Sequence, residues 1–192
     1  MPASVPIIFL LWLGYATLRY NVLGTVAWQE FPVYVANKAV SAAAVTLLVA
    51  AYLTRRPGRP RIYGIAGFLL MLVHLVLSLL VFDPQHYPKI LSAGGLTPAG
   101  WWSITAGVVA SLLLCGPFWA SRQNALDRLG ETRWRAVQRV GYLALALCGI
   151  HTAALGVSGW LRPSTWPGGL PPITLLTTTL ALCPLVLRVR KK

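Results

Sequence analysis

The sequence predicts an all-α protein, a six-helix transmembrane bundle with both termini cytoplasmic. Three observations carry that expectation. Apolar residues make up 56% of the chain and charged residues only 11%. A soluble domain carries about 25% charged residues, so this chain has too few to cover a water-facing surface. The apolar residues also fall in six runs of roughly 20, the length a helix needs to cross a hydrocarbon core about 30 Å thick. Finally, the basic residues cluster in every second connection between those runs.

Taken in order, the first span covers residues 4–23, with Arg19 near its far end. It has no basic segment before it and no clear small-residue cleavage site, so it reads as a retained helix rather than a signal peptide. The second covers 31–53 and contains Lys38, and the third covers 62–82 and contains His74. The fourth covers 101–120, the fifth 140–161 with His151, and the sixth 170–189. Pro84, Pro88, Gly94, Gly95, Pro98 and Gly100 break the chain between the third and fourth spans. Pro163, Pro167, Gly168, Gly169, Pro171 and Pro172 do the same between the fifth and sixth.

The net charge of +13 comes from 17 Lys and Arg against four acids. Thirteen of the 17 lie in three places: Arg55 to Arg61, Arg122 to Arg139, and the tail from Arg188 to Lys192. With six spans, all three fall on one side. The opposite connections are sparse or acid-bearing, holding Glu30, Asp83 with Lys89, and Arg162. The positive-inside pattern places the basic side in the cytoplasm and accounts for the charge without a nucleic-acid partner. Anionic membrane lipid is the expected neighbour of those arginines. The longest polar connections are too short to fold a separate catalytic unit, so residues 1–192 read as one domain. Cys115, Cys148 and Cys183 stand singly in apolar runs and read as small packing residues, not as a zinc or disulfide framework.

An ionisable side chain inside a membrane helix is costly and marks function by default. Two of the three histidines are so placed. His74 lies 13 residues beyond Arg61 and His151 lies 12 beyond Arg139. At 1.5 Å per residue the two rings should sit within about 2 Å of one depth, slightly towards the outer leaflet. Helical spacing puts Gly64, Gly67, Met71, His74 and Ser78 on one stripe, and Gly141, Ala144, Cys148 and His151 on another. Two imidazoles at one depth, each on a strip of mostly small side chains, suit the two axial positions of one haem b. Close helix packing with structural histidines is the competing reading of the same stripes. No C-x-x-C-H motif occurs, so such a haem would be non-covalent.

The run Arg61-Ile-Tyr-Gly64 followed by His74 resembles the third helix of the ferric reductase-like transmembrane domain family. Leu129-Gly130, Trp134, Gln138, Tyr142-Leu143 and His151 are similar to that family's fifth-helix signature, and Asn37-Lys38-Ala39 is a vaguer likeness in the second helix. The family includes the haem-binding membrane subunit of the bacterial periplasmic methionine sulfoxide reductase system. The resemblance implies a multi-pass protein of a bacterial-type inner (plasma) membrane. It also implies a b-type cytochrome subunit of an oxidoreductase, relaying electrons to an extracytoplasmic acceptor. Many members carry two histidines in the fifth helix, 13 residues apart. Here the first position is Gln138, and its counterpart in the third helix falls near Pro60; neither ligates haem iron. One haem, held by His74 and His151, is therefore expected.

Lys38 and Arg19 are the expected partners of the haem propionates, since buried carboxylates need compensation. Quinone contact for Lys38 and interfacial snorkelling for Arg19 are alternatives. His86, in the loop after the third span, reads as a solvated side chain, with metal binding or a place on the electron exit path as options. No nucleotide-binding glycine turn occurs, so the donor must be separate, either a quinol or a flavoprotein reductase bringing its own flavin, and so must the acceptor. The rival functions are a small transporter or channel and a non-catalytic membrane scaffold.

Overall fold

The structure is a computed structural model that describes residues 2–54 and 56–189. Six helices in it are long and apolar enough to cross a bilayer. Their α-helical parts are α1 (Ser4–Thr17), α2 (Ala36–Leu53), α3 (Arg59–Leu80), α4 (Pro98–Trp119), α5 (Ala125–Trp160) and α6 (Ile173–Val189); the first and last reach spanning length with adjoining turns, as Ser4–Val22 and Pro167–Arg188. The ends bearing Arg59, Arg122 and Arg188 lie where connections two and four and the tail begin; this is called the basic end below. Arg55, Arg190, Lys191 and Lys192 of the basic clusters lie outside the described residues.

Helix α2 is the axle of the bundle. In its most apolar window 61% of residues are buried, against 17–28% in the other five spans. Ala39, Ala42, Ala43 and Ala44 supply the reason: small side chains let neighbouring backbones close in on every side. Helices α1, α3 and α6 pack on α2, while α4 packs along α5. Helices α3 and α5 have almost no direct backbone contact. In the half nearer the basic end that space is filled by Leu48, Phe68, Met71, Leu114 and Leu145, with the Phe68 and Phe118 rings stacked 4.1 Å apart.

Local irregularities sit at the opposite end. Helix α1 runs into a π-helical turn (Leu18–Val22), and α2 is entered through another (Phe31–Val35). Wide turns of this kind re-aim side chains and concentrate at functional sites. They carry Arg19 and lead directly into Asn37 and Lys38. A two-residue hairpin, β1 (Leu91–Ser92) with β2 (Gly95–Leu96), lies just before α4.

Helix α5 differs from expectation by starting at Ala125 rather than near residue 140. The arginine-rich stretch is helical although it is not apolar. It is interrupted only at Gly130, whose φ of 70° and ψ of 157° are open to glycine at no steric cost. Apolar run length reports how much helix lies in hydrocarbon, not how far the helix extends beyond it.

The expected small-residue stripe on α3 has a different use from the one foreseen. A Cβ at Gly67 would come within 2.8 Å of the Leu48 side chain and 3.0 Å of the Ala44 carbonyl, whereas one at Gly64 would meet only Ala51, at 3.8 Å. The stripe is the seam along which α3 closes on α2. Gly67→Ala should therefore lower the thermal stability of the detergent-solubilised protein by about 1–3 kcal/mol, because rigid backbone must move. Gly64→Ala should change it by about 0.5 kcal/mol or less. Equal midpoints for the two variants would refute the seam.

Candidate functional site

The imidazoles of His74 on α3 and His151 on α5 face each other across the gap between their helices. Their ring centres are 6.3 Å apart and their planes are inclined at 75°. The structure thus brings together the two histidines that the sequence singled out.

Each ring is held from behind. His74 donates its Nδ1–H to Oδ1 of Asn37 at 2.7 Å, and Asn37 is only 2% exposed. The Asn37 amide is itself oriented, because its Nδ2 donates to Ser78 Oγ at 2.9 Å and to Tyr87 Oη at 3.2 Å. His151 Nδ1 donates to the Ser103 carbonyl at 2.8 Å, with Ser103 Oγ also 3.0 Å away. Ser103 is fully buried on α4. Gly107, one turn on, makes room for the ring: a Cβ there would stand 2.8 Å from His151 Nδ1. With the proton on Nδ1, a neutral imidazole keeps its lone pair on Nε2. Neither Nε2 makes a hydrogen bond to a described residue.

The separation of the two rings can be compared with that of two imidazoles sharing one metal ion. Metal–imidazole bonds of about 2 Å on opposite sides of one ion put the ring centres roughly 6 Å apart. A second hydrogen bond fixing the tautomer is the usual support of a ligating histidine. Among the described residues no group of three or more His, Cys, Asp or Glu side chains is placed to hold one metal ion. Asn37, Ser103 and Gly107 were missed as supporting residues. The signal for Ser103 and Gly107 was their four-residue spacing on α4, which is unremarkable without knowing which face meets His151.

Ser78 of the α3 stripe stays at the site, bonded to Asn37, but other stripe residues turn elsewhere. Met71 and Ala144 are in the core of the basic half, and Gly141 lies beneath the Tyr52 ring. Tyr52 Oη donates to the Gln138 carbonyl at 2.9 Å and its ring lies 4.6 Å from Tyr142, over which Arg188 is placed. Gln138 Nε2 donates to the Pro117 carbonyl at 3.4 Å. The level of Gln138 is thus occupied by packed side chains.

Lys38 and Arg19 line one pocket of about 300 Å³ at the end away from the basic clusters. Lys38 Nζ lies 4.1 Å from the Tyr34 ring centre and 5.2 Å from that of Tyr20. Arg19 is 7% exposed, and its Nε and Nη1 have no hydrogen-bond partner. It does not snorkel. Trp166 also lines this pocket and donates its Nε1–H to the Gly159 carbonyl.

His86 is not a free loop side chain. Its Nε2 is 2.8 Å from Glu30 and its Nδ1 is 2.6 Å from Asp83, so it staples the connection after α1 to the connection after α3. The two carboxylates lie on opposite ring nitrogens, which rules out one ion bound by all three. The chain matches no protein-family model and no curated protein.

The staple has a defined pH dependence. Hydrogen bonds from Glu30 and then Asp83 raise the His86 pKa, and the His86 backbone N–H leads the causes that lower that of Asp83. The histidine contribution is full below its unfolded value and fades as pH rises through the raised folded value. The Asp83 contribution is present above its unfolded value and fades as pH falls through the lowered one. Amide exchange of residues 83–90 should therefore be slowest between about pH 4 and 6.5, after correction for intrinsic rates. His86→Gln should flatten that minimum; an unchanged profile would show that the staple does not form.

Proposed function

We propose that the protein is a membrane cytochrome of b type that holds one haem between His74 and His151 and passes electrons to an acceptor on the outer side. The single observation that carries this reading is the pair of Nδ1-anchored imidazoles with ring centres 6.3 Å apart, neither Nε2 bonded to a described residue. A bound haem would supply reversible one-electron chemistry at its iron. The chain's own residues do the rest. Asn37 and Ser103 fix both tautomers and hold the rings so that little reorganisation accompanies a change of charge. Lys38, adjacent to Asn37 in sequence, and Arg19 farther along the same pocket would neutralise propionates.

The packed cluster at Gln138, Tyr52, Tyr142 and Phe68–Phe118 supports one haem instead of two. It also favours a donor that reaches the His74–His151 level from within the bilayer, which suits a quinol better than a cytoplasmic flavoprotein. The positive-inside pattern assigns the basic end to the cytoplasm and the cationic pocket to the outer face. The resemblance to the ferric reductase-like transmembrane domain family points the same way. A transporter with a histidine-lined path is less well served, because each ring is bonded to a fixed partner.

Protein purified from haem-replete cells should show a Soret band and bind about one haem per chain. His74→Ala and His151→Ala should each abolish the band. Asn37→Leu should keep both ligands yet weaken haem affinity by about 10–100-fold, the usual cost of losing a supporting hydrogen bond. Gln138→His alone should leave the ratio at one. Colourless wild-type protein, or a ratio of two, would overturn the reading.

A further inference from the structure

We infer that the pocket at the end away from the basic clusters is a binding site for a free organic acid, a carboxylate carried on a flat apolar body. The inference rests on the pocket's own atoms and stands apart from the haem reading. Arg19, Lys38 and Lys89 line the pocket and no acidic residue does. The nearest acids, Glu30 and Asp83, are paired with His86. Arg19 is 7% exposed with two unpartnered guanidinium nitrogens. A buried cation is costly unless something pairs with it; among the described residues Arg19 has the Tyr20 ring, 5.5 Å from its guanidinium carbon, and no acid. Lys89 Nζ donates to the Leu155 carbonyl at 3.1 Å at the pocket wall, and burial, Lys38 and Arg162 together lower its pKa.

The remaining walls define the rest of the ligand. Tyr20, Tyr34 and Trp166 are among the lining residues, with Arg19 and Lys38 placed over the tyrosine rings. Guanidinium matches a carboxylate with two parallel hydrogen bonds, and aromatic walls accept a planar body. A volume of about 300 Å³ holds a small organic acid with room to spare. The pocket lies one helical turn beyond His151, at Leu155 and Gly156, so haem propionates could reach part of it. Two propionates would leave one of the three cations uncompensated, and that remainder is what a free carboxylate would meet.

Equilibrium dialysis of radiolabelled benzoate against the protein in lipid nanodiscs, with empty nanodiscs as blank, tests the assignment. Saturable uptake of one benzoate per chain is expected in haem-free and haem-loaded protein alike, with no saturable uptake of neutral benzamide. Arg19→Gln and Lys89→Gln should each weaken it about tenfold, the loss typical of one charge-assisted hydrogen bond. Lys89→Gln guards against misfolding, because its side chain leaves from an exposed loop. Absence of uptake by haem-free protein, or uptake unchanged in both variants, would overturn the proposal. So would uptake lost on haem loading, which would make the pocket a propionate seat only. If the protein takes up no haem, the missing Soret band records that failure and the haem-free dialysis still decides this one.

Discussion

Two hydrogen bonds, from His74 Nδ1 to Asn37 and from His151 Nδ1 to Ser103, are what the site depends on. A neutral imidazole in a membrane has two polar nitrogens to satisfy, and hydrocarbon offers no partner for either. Tying down Nδ1 removes one of them, sets the tautomer, and leaves Nε2 as the single open function. The rings are held by those two bonds rather than by a bond to each other. Everything proposed for the gap follows from that restriction.

The architecture around the rings serves it. Helix α2 supplies Asn37 for one ring and α4 supplies Ser103 for the other, so each histidine is positioned by its packing neighbour. The glycine at position 67 brings α3 onto α2 closely enough for the Asn37 bond to form, and Gly107 lets His151 lie flat against α4. The gap exists because α3 and α5 each have a different partner to pack on. Towards the basic end it is closed by aromatic and aliphatic packing; towards the other end it gives way to a pocket with three cations and no acid.

That polarity distinguishes the two halves of the bundle. One half is a membrane-protein core like any other, held by dispersion and small-residue packing. The other half contains the π-helical turns, the buried Arg19, the Lys38 ammonium against two tyrosine rings and the His86 staple. The π-helical turns and the buried charge are gathered at the end where the proposed acceptor would arrive.

The sequence by itself determined the six spans, the clustering of basic charge and the two histidines at one depth. These follow from run length, charge count and helical rise, which are one-dimensional quantities. It did not determine which faces of the helices meet. The glycines of the α3 stripe were read as room for a macrocycle and instead seat α2, because a small side chain admits any close neighbour and periodicity does not name it. Asn37, Ser103 and the convergence of Arg19, Lys38 and Lys89 on one pocket come from elements far apart in the chain. His86 looked solvated because its partners lie in two different loops. Only the tertiary structure decided these, since a hydrogen bond between distant residues depends on the rotation of each helix about its axis. Hydropathy leaves that rotation undefined when, as in these helices, apolar residues surround nearly the whole circumference.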